Sequence, residues 1–276
     1  MADPAEQAPL DKERHLRYWQ RCYRSFLPTQ YTSHDSIRMA LGFFIVAAFD
    51  ILSPATSSGE PHALTPSDRA KIRKWVLSQQ HVGGGFSGAP SHTLPVELCQ
   101  DYDLETNKPA FKHPDVSTIA ATYFALLLLA LVEDGTREGG RGAFAGVDRV
   151  GILRWLRRLQ REDGSFGDVL MEDGAISGGR DMRLCYLAAT IRWCLRGDVK
   201  EGEPGWVEDI NVDALIGHIR QGQTYDGGVA ESSQHEAHAG YAYCAVGALY
   251  MLDSSGKYRR FVRHRRCARA SLTGRA

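Results

Sequence analysis

One local pattern occurs three times in this chain and restricts its fold more than any other feature. A helix ends in Gln, a Gly turn follows, then a loop, then a helix rich in Ala and Leu. The first copy is residues 78–88 (SQQHVGGGFSG), with its apolar helix at 117–132. The second is 159–167 (LQREDGSFG), with its helix at 181–195. The third, 221–252, holds His235 and His238 in a polar loop before an apolar helix. Recurrence at roughly 60–80 residues marks a repeat architecture, in which each unit buries its apolar face against the next.

The turn chemistry follows from backbone sterics. A helix commonly ends on a residue in the left-handed region, which Gly enters without penalty. Gly85, Gly164 and Gly227 are expected in that role. Phe86 and Phe166 are expected to fold back as plugs over the helix ends, with Val229 in that place in the third unit.

Composition limits the alternatives. The chain has 276 residues and zero formal net charge, enough for one large domain or two small ones. Neutral charge speaks against a nucleic-acid binder, which needs a basic excess. Residues 1–15 are polar and carry no apolar signal core. The apolar run at 126–132 is too short to span a bilayer. The six Cys form no Cys-x-x-Cys pair; without a signal segment they read as reduced thiols of a cytoplasmic protein.

Along the chain, residues 11–26 form a charged, aromatic-rich helix, and 36–52 are apolar nearly all round, as in a buried helix. Thr65, Pro66 and Asp68 make a strong helix start. Amphipathic helices are expected at 147–161 and 211–221. A long connection with four prolines, 81–115, leads from the helix opened at Thr65 to the apolar helix at 117–132. No stretch alternates like a strand, so the class is all-α, built from helical hairpins. If these close into a ring, the helices that are apolar throughout form the inner wall. The expected domains are a disordered 1–10, a repeat domain at 11–253 and a basic, disordered tail at 254–276.

Several segments together resemble the β subunits of protein prenyltransferases, and among them the geranylgeranyltransferase type I branch. They are residues 14–22 with 27–52, HPDVSTIAATYFALLLLA at 113–130, LQREDGSFGDV with DMRLCYLAA at 181–189, and YDGGVAESSQHEAHAGYAYCAVGAL at 225–249. The resemblance covers about Lys12 to Leu252. It implies an α-α toroid with an apolar funnel, and transfer of geranylgeranyl from its diphosphate to the Cys of C-terminal C-a-a-X motifs, often with Leu last. It implies zinc to lower the thiol pKa, with magnesium as a possible further ion. It also implies an α-subunit partner and protein substrates such as Rho-type small GTPases. A farnesyl or Rab-type β subunit and a non-catalytic module that binds isoprenoid or α subunit are the competing readings. A terpene cyclase lacks support, since there is no Asp-rich acid motif.

The resemblance also assigns residues. His238 matches the histidine that contacts the diphosphate, followed by Ala239, Gly240 and Tyr241. The family pattern there is His-Gly-Gly, so Ala239 adds a methyl where backbone approaches phosphate. Read alone, a His in a polar loop is a solvated side chain. Asp181 and Arg183 match an Asp-x-Arg at the funnel mouth, Asp181 orienting Arg183; read alone they are a helix-start ion pair. Tyr186 borders either the isoprenoid or the core. Ala40 matches a position whose size sets lipid length, and a small residue there leaves room for the longer lipid; read alone it is a packing residue. The family's Asp-x-Cys and later His zinc ligands have no counterpart, and Cys267 lies in an Arg-rich stretch without them. The expectation is therefore a ring incomplete at its C-terminus, with no metal ligands or catalytic residue assigned and exposed apolar faces.

Overall fold

Eight α-helices lie in the described part of the chain, and five of them start at a side-chain cap. The computed structural model describes residues 10–53, 64–90, 100–103, 108–111, 116–133, 142–171, 173–197 and 199–252. The expected disordered segments thus lie outside the described residues, save Leu10. The helices are α1 (Lys12–Arg24), α2 (Arg38–Leu52), α3 (Pro66–Ser78), α4 (Ile119–Leu131), α5 (Arg149–Arg158), α6 (Met182–Arg196), α7 (Val212–Gln221) and α8 (Ala239–Leu252). A 3-10 segment, Thr29–Ile37, leads into α2.

Capping explains the starts. Thr65 and Asp68 form a reciprocal capping box: Thr65 Oγ1 accepts from Asp68 N–H at 3.1 Å, and Asp68 accepts from Thr65 N–H at 3.2 Å. Asp148, Asp181 and Asn211 cap α5, α6 and α7 through side-chain oxygens.

The contacts divide into two compact units. The first holds α1 to α3, residues 88–90 and residues from Phe124 to Gly146; the second holds residues 80–87, the strands, the start of α4 and everything from Val147 on. In the first, Tyr23 meets Phe49 edge-on at 5.9 Å, and Phe124 meets Phe43 at 5.3 Å and Phe44 at 5.6 Å. Arg69 donates to the Leu131 carbonyl at 2.7 Å and satisfies the C-terminal end of α4. In the second, α6 and α8 form the most extensive helix pair. Arg149 serves the C-terminal end of α6, donating to the Leu195 and Arg196 carbonyls.

α2 departs from its expected burial. Met39, Val46 and Phe49 are buried, but Phe44 is 53% and Ile51 77% exposed. An apolar helix shows that it seeks cover, not that its own unit supplies cover on every side.

The turns correct the expected glycine role. The helix caps Gln79, Leu159 and Gly222 have φ of −91°, −79° and −73°, so none is left-handed. The left-handed glycines come later, in a tight loop repeated in all three units. Gln80 pairs with Phe86, Gln160 with Phe166 and Gln223 with Val229, each as one β-bridge. Inside these brackets Gly84, Gly164 and Gly227 donate back to the carbonyls of His81, Arg161 and Thr224 at 3.0 Å. Gly84 is therefore the equivalent in hydrogen-bond register, while Gly85 beside it is left-handed as expected (φ +80°). Three consecutive glycines hide this register in the sequence. Phe86 and Phe166 are fully buried, as the plug reading expects.

The expectation of no strands needs a similar correction. Four two-residue strands, β1 (Phe86–Ser87), β4 (Ser117–Thr118), β5 (Val169–Leu170) and β6 (Ile176–Ser177), pair antiparallel in the order β1-β4-β5-β6. A hairpin of β2 (Gln100–Asp103) and β3 (Lys108–Phe111) lies in the long connection. Two-residue strands carry no readable alternation, and the molecule stays a helical-hairpin protein. The β5–β6 hairpin fills the stretch between LQREDGSFGDV and the DMRLCYLAA segment, turning at Gly174 (φ +84°).

Candidate functional site

The N-terminal ends of α6 and α8 meet. Met182 N–H donates to the Glu231 carbonyl at 2.9 Å, which ties the start of α6 to the loop before α8. Two helix starts side by side place two positive dipole ends in one region.

Asp181 does two jobs there. Its Oδ1 accepts the Arg183 N–H at 2.8 Å as the α6 cap. Its Oδ2 accepts from Arg183 Nε at 2.7 Å and also from Arg183 Nη2. The carboxylate is nearly buried, whereas the Arg183 side chain is 65% exposed. An ion pair this exposed contributes about 0–1 kcal/mol. Its effect is orientation: it aims the remaining guanidinium N–H groups outward. Hydrogen bonding to Asp181 holds the Arg183 pKa above its usual value, so the cation is permanent.

Tyr241 joins the remaining members. The Arg183 guanidinium lies 5.8 Å from the Tyr241 ring centroid, and the His238 ring meets the same ring edge-on at 5.5 Å. The Tyr241 hydroxyl donates to Glu231 at 3.2 Å. Desolvation, with Glu231 and Asp181 nearby, raises the Tyr241 pKa and keeps that phenol protonated. His238 Nδ1 accepts the Gly240 N–H at 3.0 Å, which leaves Nε2 with the proton and available to donate. Ala239 and Gly240 are the exposed first residues of α8.

An apolar wall adjoins this ensemble along α6 and α8. Tyr186 contacts the rings of Tyr123 at 5.9 Å and Tyr243 at 5.6 Å. Gly247 makes room for it, since a Cβ there would come within 2.7 Å of the Tyr186 ring. Tyr186, Ala242, Tyr243, Val246, Tyr250 and Met251 line an open cavity of about 590 Å³. Tyr243 and Tyr250 are each 67% exposed, an uncommon density of open aromatic surface on one helix.

The structure thus gathers Asp181, Arg183, His238 and Tyr241, with Tyr186 on the adjoining wall. Ala40 belongs to the other unit, half-buried on α2. It does not line the cavity of about 460 Å³ that its neighbours Leu41, Gly42, Ile45 and Val46 share with α1 and α3. Sequence reasoning missed Glu231, Tyr123 and Tyr243. The spacing of Tyr243, Gly247 and Tyr250 (i, i+4, i+7) marked one face of α8 and was the available signal.

Among the described residues, no three His, Cys, Asp or Glu side chains converge as a metal site. His235 Nδ1 is engaged with Ser232 and Ser233 instead. Zinc and magnesium therefore find no fitting donor set here. Burial pushes the Cys185 thiol up to about 12 and Cys194 up to about 11, so neither offers a reactive thiolate. No described helix is long and apolar enough to cross a membrane.

Comparison with known proteins gives the family and the fold. The sequence profile of the prenyltransferase alpha-alpha toroid domain matches residues 10–276. The chain is 27% identical over 259 residues to the geranylgeranyl transferase type-1 subunit beta of Dictyostelium discoideum, covering 88% of this chain and 63% of that one. It is 27% identical over 267 residues to the Arabidopsis thaliana protein of the same name, covering 92% and 60%. It is equally 27% identical over 250 residues to a protein farnesyltransferase subunit beta of Pyricularia oryzae, covering 89% and 40%. The fold is similar to that of a Candida albicans protein geranylgeranyltransferase-I complexed with GGPP. That match has a TM-score of 0.63 at 20% identity over 88% of this chain and 60% of the other. The chain spans about three fifths of the length of the geranylgeranyl relatives.

Proposed function

Because the chain belongs to the prenyltransferase alpha-alpha toroid family, we propose that it is the isoprenoid-diphosphate-binding part of a protein prenyltransferase β subunit, of the geranylgeranyl type I kind. The observation that carries this reading is Arg183, held outward by Asp181 and set against Tyr241 beside His238, where two helix N-termini meet. A diphosphate needs that combination of a fixed cation, a ring N–H donor and positive dipole ends. The aromatic wall of Tyr186, Tyr243 and Tyr250 supplies the adjoining apolar surface for a polyprenyl chain.

In the reaction a substrate thiolate attacks the first carbon of the lipid. A sulfur–carbon bond forms, the carbon–oxygen bond breaks, and negative charge grows on the departing diphosphate. Arg183 and His238 stabilise that charge by hydrogen bonds that strengthen as it develops. Zinc in this family would favour the thiolate form of the substrate cysteine, and no donor set for it lies among the described residues. The protein substrate is a C-a-a-X tail such as those of Rho-type small GTPases, and the partner is an α subunit.

The choice of the longer lipid rests on Ala40, since relatives of both types match at the same identity. Direct binding tests the whole reading. The chain co-purified with an α subunit is titrated with a fluorescent geranylgeranyl diphosphate analogue, competed by unlabelled geranylgeranyl or farnesyl diphosphate. Saturable binding, competed better by geranylgeranyl diphosphate and weakened by Arg183→Gln, supports it. Binding indifferent to Arg183→Gln rejects the site.

A further inference from the structure

We propose that the cavity bounded by the first three helices is a binding site for a long-chain carboxylic acid, distinct from the site at the starts of α6 and α8. The inference comes from the packing of the first compact unit and does not rest on the prenyl-transfer reading.

The cavity, of about 460 Å³, lies among consecutive elements of the chain. Leu41, Ile45 and Val46 of α2 line it with Ile72 and Trp75 of α3, and α1 and Leu128 of α4 complete its boundary. All of its lining belongs to one unit. In a repeat array each hairpin stacks on its neighbours in sequence, so a further repeat joins at an end of the array and does not enter this space. The volume falls within the roughly 300–1,000 Å³ of small-molecule sites.

Gly42 keeps the space open. It sits in the interior of α2, where Gly is less favourable than Ala. A Cβ there would meet Leu128 Cδ2 at 3.7 Å and Trp75 Cζ3 at 3.8 Å, which are ordinary contact distances. Close packing of the helices therefore does not demand Gly at this position. The missing side chain instead leaves room beside Trp75 and Leu128. An empty apolar space forfeits the dispersion contacts of its lining, so an apolar occupant stabilises it.

The charged groups select the head of that occupant. Arg38 and Lys71 line the cavity, and no carboxylate does so among the described residues. Both are exposed, which puts them at the mouth. Arg38 is partly neutralised, its Nε donating to Asp35 at 2.9 Å. Asp68, one turn before Lys71 on α3, is engaged by Thr65 in the capping box. One flexible ammonium beside one half-neutralised guanidinium suits a single negative charge. A diphosphate needs more fixed donors than this mouth holds. An apolar interior with one anion site at its opening fits a fatty-acid carboxylate.

Trp75 makes the site testable by position. The full chain, alone and in complex with an α subunit, is titrated with stearic acid brominated at mid-chain, whose bromines quench nearby tryptophan fluorescence. Saturable quenching is expected in both, and Trp75→Phe should remove most of it. Gly42→Leu fills the space and should abolish saturable quenching without lowering the melting temperature. The methyl ester of the same acid lacks the charge and should bind about three- to tenfold more weakly, the worth of one charged contact at an exposed mouth. Lys71→Gln should erase that difference. No saturable quenching, quenching undiminished by Trp75→Phe or Gly42→Leu, or equal affinity for acid and ester overturns the proposal. Binding lost in the complex also overturns it, since the α subunit is then the occupant. So does displacement by geranylgeranyl diphosphate that Arg183→Gln weakens, since the cavity then belongs to the prenyl site.

Discussion

Arg183 and His218 show how single residues here act through position. Arg183→Gln removes a cation aimed by Asp181 but little packing. We expect geranylgeranyl diphosphate affinity to fall about 10- to 100-fold, the worth of one charge-assisted hydrogen bond, with the melting temperature nearly unchanged. Asp181→Asn keeps an N-cap but loses the aim, so titration of the same lipid should show a smaller loss. His218 is buried, and its Nε2 meets the Arg180 carbonyl at 3.1 Å, one residue before Asp181. Burial lowers its pKa below the ordinary value of 6.5. The unfolded chain then binds a proton that the folded chain refuses. Stability is retained above about pH 6.5 and lost as pH falls below it. Melting temperatures measured from pH 7.5 to 5 should decline, and His218→Gln should flatten that decline.

At the scale of the element, the repeat turn carries the order. Gly164 and Gly227 share φ +86°, yet one is pressed against Ala214 and the other faces open space. Alanine at either pays the left-handed penalty of about 1–2 kcal/mol. Gly164→Ala should also displace α7, so urea denaturation should show a clearly larger loss than for Gly227→Ala. Equal losses would mean that the turn does not grip the helix it touches. Phe166→Ala removes a fully buried plug and should cost about 3–5 kcal/mol.

Over the whole molecule, exposed apolar surface is the dominant feature. Phe26 is 99%, Val82 86%, Ile51 77% and Tyr225 fully exposed. Expressed alone, the chain should associate with rising concentration in light scattering, and an α subunit should suppress this. A sharp, cooperative melt from monomeric protein would argue the opposite. Ala40→Trp, placed in the complex with an α subunit, should shift competition toward farnesyl diphosphate if Ala40 borders the lipid. An unchanged preference would remove the size argument.

The sequence by itself determined the repeat, the helix starts and the class. Thr65, Asp148, Asp181 and Asn211 act on N–H groups within three residues, and heptad-scale apolar spacing names a buried face without knowing its partner. Asp181 with Arg183 was legible for the same reason, being a two-residue contact. Tertiary structure alone decided what meets across distance. Arg183 and Tyr241 are brought together by the packing of α6 on α8, and Glu231 enters because its carbonyl receives Met182 N–H and its carboxylate the Tyr241 hydroxyl. It also decided that Gly84 is the turn glycine and that α2 is half open. Local preference depends on neighbours along the chain, whereas register and cover depend on surfaces that only packing brings into contact.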